Sequence, residues 1–313
     1  MATISIILPT CNRLPFLHAA IASVFAQTFS DWDLVIADDG SDGETRDWLG
    51  SLGADPRAQV LLFGHRGSPA EMRNAAMAAA RGRYLAFLDS DDRWLPDKLE
   101  RQLAALRVRP ECRWSYTAFR RIDAEGRPLA GDEQRPWTAH DGWIFEAVLR
   151  GAATICTPSV VVERALVEEA GGFDPAIRAC EDIDLWLRLA RVSPVAALDA
   201  PLVEVRVAAG SYSDRWAHAL EDRGHALRKL LAAAPRQVAA VRAEYARNCA
   251  ALAVDYLLAG RDADARRVRR ECARHAWRHP SSWRAVMRLL WHTGRQRMLA
   301  WRELRTRVRR AAP

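Results

Sequence analysis

The 313-residue chain is almost without lysine: Lys98 and Lys229 are its only two, so nearly all of its 46 basic residues are arginine. Its six cysteines (Cys11, Cys112, Cys156, Cys180, Cys249 and Cys272) stand in no paired spacing, which argues against a disulfide framework and against a zinc site and reads as reduced thiols. No apolar run approaches membrane-spanning length. The amino terminus enters a strand directly at Thr3, without the basic, apolar and small-residue sequence of a signal peptide, so the expected address is the cytoplasm. What is present is apolar residue in quantity, 50% of the chain, enough for one large α/β domain with a smaller appendage.

The net charge of +7 conceals a division. Residues 1–210 carry 23 Lys and Arg against 30 Asp and Glu, a net of −7, whereas residues 211–313 carry 23 against 9, a net of +14. Such asymmetry points to an anionic partner for the tail, a membrane surface or a polyanion, or to a solvated basic helical face.

The most informative stretch is Arg83 to Asp92. Tyr84 to Leu88 reads as a short buried strand that begins after the helix-stop glycine Gly82 and ends in Asp89, Ser90, Asp91 and Asp92. Three carboxylates within four residues repel one another unless a positive charge sits among them, and a hard divalent cation suits their oxygens. In an open α/β sheet, ligands collect beyond the carboxyl ends of strands, where these acids lie. An acidic surface turn would show the same composition.

The rest of the chain gives these acids a setting. Thr3 to Leu8, stopped by Pro9, reads as a strand, and Leu14 to Phe25 has helical spacing. Asp33 to Ala37 is a second strand ending in Asp38-Asp39-Gly40-Ser41, and Gln59 to Phe63 is a third. Ser68-Pro69-Ala70-Glu71 has capping-box spacing with proline at the first helical position. Trp94 to Leu106 opens another helix. Cys112 to Ile122 and Cys156 to Val162 read as strands, Arg127 to His140 as a surface loop, and Val195 to Val207 as an extended segment broken by Pro201. Ala179 to Leu189 has a helical stripe with Glu181 and Asp182 in its first turn, where acids favour the helix dipole. This alternation predicts a parallel sheet with helices on both faces.

These segments, taken in order, resemble a known family. Ile7-Leu8-Pro9-Thr10-Cys11-Asn12-Arg13, Ala37-Asp38-Asp39-Gly40-Ser41, Arg73-Asn74, Leu88-Asp89-Ser90-Asp91-Asp92 with Trp94, Pro96, Lys98 and Leu99, Gly172-Phe173-Asp174, and Glu181-Asp182-x-Asp184-Leu185-Trp186 are similar to the motifs of family 2 glycosyltransferases. Each motif is weak alone; the ordered set is specific. The resemblance covers roughly residues 3–213 and implies a bacterial enzyme with the GT-A fold: a mixed, mostly parallel sheet with helices on both faces. The expected division is a catalytic domain over 1–213 and a smaller, Arg-rich all-α region over 214–313.

The resemblance also implies roles. Such enzymes move a sugar from a nucleotide donor, usually UDP-linked, to a hydroxyl of a glycan or lipid-linked acceptor with inversion. Asp39 would accept a hydrogen bond from uracil; Pro9, Thr10 and Asn12 would line the nucleotide pocket; Arg73 would contact base or phosphate; Asp89 and Ser90 would lie near the ribose. Asp91, with Asp89, would ligate Mn²⁺ or Mg²⁺. Asp182 would be the general base, with Glu181 the runner-up. One departure stands out: the family's Arg-x-His near the domain end reads Arg206-Val207-Ala208 here, and His218 is too distant in sequence to be nominated in the histidine's place.

The tail is rich in Ala, Leu and Arg with breaks expected at Pro235, Gly260, Pro280 and Gly294. Over 283–310, tryptophans at helical spacing among arginines suit peripheral contact with an anionic membrane at the inner face, or packing on preceding helices or a second subunit. No reader motif supports nucleic-acid binding. Two other readings stay open: a catalytically inactive nucleotide-sugar-binding or scaffold protein with the same fold, suggested by Ala208, and a nucleotidyltransferase, against which the missing Gly-rich amino-terminal loop counts.

Overall fold

The computed structural model describes residues 2–129, 131, 137–207, 216–233 and 237–276. Ala208 and the segment 283–310 lie outside these residues, as does the side chain of His218. The chain divides into two units, Met1–Arg215 and Trp216–Pro313, each with its own internal packing.

The first unit is built on an eight-stranded sheet. Its strands are β1 (Ile4–Thr10), β2 (Trp32–Asp39), β3 (Ala58–Phe63), β4 (Tyr84–Phe87), β5 (Arg93–Trp94), β6 (Trp114–Ile122), β7 (Val161–Glu163) and β8 (Val195–Arg206), in the order β3-β2-β1-β4-β7-β6-β8-β5. The first four pair in parallel, β7 runs antiparallel to both β4 and β6, and β6 and β8 are parallel again. Helices α1 (Leu14–Phe25), α2 (Gly43–Leu52) and α3 (Pro69–Ala79) connect the parallel strands. Because β1, β2 and β4 are covered on both faces, their residues are apolar without alternation, and Ile4, Ile6, Ile7, Leu8, Leu34 and Ile36 are almost wholly buried.

Several expectations are refined by long-range pairing. β1 continues through Pro9 to Thr10, since β4 stops pairing at Ile7↔Phe87 and Pro9 faces no partner there for its missing N–H. Cys156 to Val162 is not one strand: Thr157–Ser159 forms a 3₁₀ turn around Pro158, and only Val161–Glu163 joins the sheet. Pro201 does not break β8; it sits at a register shift opposite Ala118. Arg93–Trp94 pairs with β8 before α4 (Lys98–Val108) begins. Two short helices, α5 (Phe145–Leu149) and α6 (Arg164–Ala170), carry no strong sequence period of their own.

Helix α7 (Glu181–Ala190) is fixed to the sheet by aromatic packing. The Trp186 ring stacks on Trp114 at 6.1 Å and lies 6.0 Å from Phe87, which meets Phe173 edge-on at 5.4 Å. Each such pair contributes about 0.5–1.5 kcal/mol beyond its burial. Asn74 of α3 clamps the turn before α7 by donating to the Phe173 carbonyl at 2.8 Å and accepting from its N–H at 3.0 Å. Gly172 is required there: its φ is +71°, and a Cβ would stand 2.9 Å from the Asn74 side-chain oxygen.

Lys98, at the start of α4, is fully buried, with Nζ 4.2 Å from the centre of the Trp94 ring and no hydrogen-bond partner among the described residues. Burial lowers its pKa to about 7. Between roughly pH 7 and pH 10 the unfolded chain therefore holds a proton that the folded chain releases, and this residue makes stability rise with pH across that window. Lys98→Met is expected to raise the urea midpoint at pH 7 and to flatten that pH dependence; an unchanged slope would contradict the assignment.

The second unit comprises α8 (Trp216–Ala233), α9 (Val238–Leu258) and α10 (Asp262–Ala276) among the described residues. Leu227, Leu230, Val241, Tyr245, Tyr256 and Val268 form its core, and the Tyr245 and Tyr256 hydroxyls donate to Glu271 and Glu221. Gly260 ends α9 with a φ of +72°, as a helix-stop glycine should. No helix among the described residues is long and apolar enough to cross a membrane.

Candidate active site

The carboxyl ends of β1, β2 and β4 and the amino end of α7 surround one cleft of about 500 Å³. Pro9, Thr10, Asp39, Arg73, Asp89, Ser90, Asp91, Glu181 and Asp182 all line it. Asn12 does not; its side-chain oxygen accepts the Asp42 N–H at 2.8 Å and holds the neighbouring turn. Sequence reasoning gave no separate role to Arg13, His65, Asp92, Thr157 or Arg206, which also line the cleft. Arg13, Asp92 and Arg206 stand inside or beside recognised motifs; His65 and Thr157 carried no local signal.

The β2 end forms one wall. The two carboxylate oxygens of buried Asp39 accept the Arg66 and Gly67 N–H groups at 2.6 and 2.8 Å, which pins the β3–α3 loop over the strand end. Oδ1 keeps a further acceptor position, whereas Oδ2 is also faced by His65 Nδ1 at 3.4 Å. Gly40 permits this approach, because a Cβ there would lie 2.6 Å from the His65 nitrogen.

The β4 end supplies the acids. Asp92 is buried and accepts the Arg206 backbone N–H at 2.8 Å, while the Arg206 guanidinium reaches the Asp91 carbonyl at 2.9 Å and the Asp123 and Ala124 carbonyls at 2.8 and 2.7 Å. Arg206 therefore fixes the path of the acidic turn. The Asp91 carboxylate is ion-paired with Arg13. Burial, and then the neighbouring acids, push Asp91 and Asp92 above the usual carboxylate range.

Arg73 of α3 joins the two halves of the site. Its guanidinium, 6% exposed, donates at 2.7 Å to Asp89 and at 2.7 Å to Glu181. Glu181 is nonetheless raised to about 7, because burial outweighs the Arg73 contact. Beside it, Asp182 accepts from the Thr157 hydroxyl at 3.1 Å and from the Ile183 N–H at 2.7 Å, and burial raises its pKa as well. A carboxylate oriented by two donors, with raised basicity and access to the cleft, is placed to receive a proton from a ligand there.

The charge of the cleft bears on a metal. Six carboxylates, Asp39, Asp89, Asp91, Asp92, Glu181 and Asp182, face three guanidinium groups, Arg13, Arg73 and Arg206, a formal excess of three negative charges among these groups. No three His, Cys, Asp or Glu residues among those described converge as a self-sufficient metal cage. The donor set suits an oxygen-seeking divalent cation held by one or two carboxylates.

A family model described as glycosyl transferase family 2 matches residues 5–136. The putative teichuronic acid biosynthesis glycosyltransferase TuaG of Bacillus subtilis is 32% identical over 217 residues, covering 68% of this chain and 82% of TuaG. The Escherichia coli UDP-Glc:alpha-D-GlcNAc-diphosphoundecaprenol beta-1,3-glucosyltransferase WfgD is 28% identical over 200 residues, 64% of this chain and 74% of that protein. An uncharacterized glycosyltransferase of Rickettsia felis is 30% identical over 212 residues, 66% of this chain but only 33% of the longer relative. Among solved structures, S. aureus TarS 1–349 superposes with a TM-score of 0.63 at 15% identity, covering 89% of this chain and 91% of that one, which establishes the GT-A-type fold. With its ordered motifs, its sheet and these relatives, the chain belongs to glycosyltransferase family 2 and is a transferase enzyme.

Proposed function

We propose that the protein transfers a sugar from a UDP-linked donor to a hydroxyl of a lipid-linked glycan, with inversion at the anomeric carbon. The observation that carries this reading is the Asp89–Arg73–Glu181 bridge, which brings the acidic end of β4 and the Asp182 carboxylate to one cleft. The names of WfgD and of the TarS complex with UDP-GlcNAc support a UDP-sugar donor, and the diphosphoundecaprenol in the name of WfgD supports a lipid-linked acceptor.

The nucleotide lies against the β1 and β2 ends, with Asp39 offering its remaining acceptor position to the uracil N–H and Pro9 and Thr10 packing beside it. Asp91, with Asp89, would hold Mn²⁺ or Mg²⁺, which would supply Lewis-acid stabilisation of the departing diphosphate. Asp182, oriented by Thr157 and the Ile183 N–H, takes the proton from the acceptor hydroxyl as its oxygen attacks the anomeric carbon from the side opposite the diphosphate. No enzyme nucleophile intervenes, so one displacement inverts the centre. A lipid-linked acceptor would bring the enzyme to the inner membrane surface, for which the basic, tryptophan-bearing segment 283–310 is chemically suited.

The test incubates the full chain with UDP-glucose, Mn²⁺ and a GlcNAc-diphospholipid acceptor, and follows UDP release and the product by NMR. The expected product carries a β-linked sugar from the α-linked donor. UDP binding without release or transfer across a panel of donors and acceptors would favour the non-catalytic, nucleotide-sugar-binding reading.

A further inference from the structure

The two acids of the Asp-x-Asp turn are neutralised by arginines buried to very different degrees. Arg73, on Asp89, is buried and anchored a second time on Glu181. Arg13, on Asp91, has a side chain 30% exposed and its partner is 21% exposed, and both line the cleft. A partly exposed pair is easier to separate than a buried one, so Asp91 can exchange Arg13 for another positive partner more readily than the buried Arg73 can leave its acids.

The backbone holds Arg13 at this place against its own preference. Asn12 and Arg13 have φ values of +58° and +60°, the only non-glycine residues in the left-handed region among those described. The turn is secured from the β2 side: the Asn12 N–H donates to the Ser41 hydroxyl at 2.6 Å, and the Asp42 N–H donates to the Asn12 side chain at 2.8 Å. A guanidinium presented at the junction of the nucleotide wall and the acidic turn has the geometry to take two phosphate oxygens at once.

We propose that Arg13 is a diphosphate-binding residue that holds Asp91 while the donor site is empty and exchanges that carboxylate for the nucleotide's phosphates when a divalent cation takes Asp91. Cation and nucleotide then bind cooperatively, since Arg13 opposes the cation alone and welcomes it once phosphate is there to receive the guanidinium. This rests on the UDP-donor reading above.

The test is titration calorimetry on the full chain with Mn²⁺ alone, and with UDP in the presence of Mn²⁺, for wild type and Arg13→Gly. Glycine keeps the turn, because it adopts positive φ without strain. Mn²⁺ alone is expected to bind Arg13→Gly about two- to five-fold more tightly than wild type. UDP with Mn²⁺ is expected to bind it about 10- to 100-fold more weakly. Arg13→Lys, with a point charge in place of the fork, should fall between the two for UDP. Affinities that weaken together would show that Arg13 merely shapes the turn and would overturn the proposal, as would unchanged UDP affinity. A wild-type protein that binds UDP under neither condition overturns the donor reading itself, an outcome distinct from wild-type binding that the variant leaves intact.

Discussion

Asp182→Asn is expected to lower kcat by about 10²–10⁴-fold, the usual contribution of a positioned general base, while UDP affinity stays near that of wild type. The amide is isosteric, so its oxygen can still accept from Thr157, whose hydroxyl lies 3.1 Å from the carboxylate, and the Trp186 packing that seats α7 is untouched. What is lost is the ability to take a proton. The pH profile supplies a second signature. Burial holds the Asp182 pKa above its ordinary value, and the reactive form is the deprotonated one. Wild-type kcat should therefore fall as pH drops through a midpoint above the usual carboxylate range, and that limb should vanish in Asp182→Asn. If Glu181 were the base, Asp182→Asn would retain both rate and limb.

Arg73→Ala should be the most damaging substitution to the fold of the site. It leaves Asp89 and buried Glu181, each 2.7 Å from the guanidinium, without their shared partner. Breaking a buried pair from one side costs about 3–5 kcal/mol. For a unit the size of Met1–Arg215 this corresponds to a fall in Tm of about 6–20 °C. The sign of its pH dependence follows from linkage. Without Arg73 the folded-state pKa of Glu181 rises further above its unfolded value, so the penalty is greatest where Glu181 is ionised and is relieved as pH falls and it protonates. Thermal unfolding of the variant at pH 8 and pH 5.5 measures this: the loss relative to wild type should be larger at pH 8. Arg73→Lys, able to meet one acid but not both, should lie between.

The parts of this architecture that could be read in the chain are those governed by neighbouring residues. The buried strands from Ile4, Trp32 and Tyr84 announce themselves as apolar runs, and the Ser68 cap of α3 by its spacing: its side chain accepts the Glu71 N–H at 3.3 Å. The second half of that capping box is not formed, because Glu71 turns to Arg66 at 3.0 Å. Elements held by distant pairing were not legible. The Arg93–Trp94 strand exists because β8 lies beside it, and Pro201 survives within β8 because a register shift absorbs it. The same distinction separates the acids of the site from their partners. Asp89, Asp91, Glu181 and Asp182 stand out by position after a strand or before a helix. That Arg73 reaches Glu181 across 108 residues, and Arg13 reaches Asp91 across 78, follows only once the sheet has folded β1, α3 and α7 around one cleft.

The most direct test of the central claim, that this cleft is a cation-assisted donor site built on the Asp-x-Asp turn, is isothermal titration of UDP into the wild-type protein and Asp91→Ala, with and without Mn²⁺. The account predicts binding by wild type that strengthens with Mn²⁺ and a loss of that enhancement in Asp91→Ala. UDP affinity that is indifferent to Mn²⁺ in both proteins would contradict it.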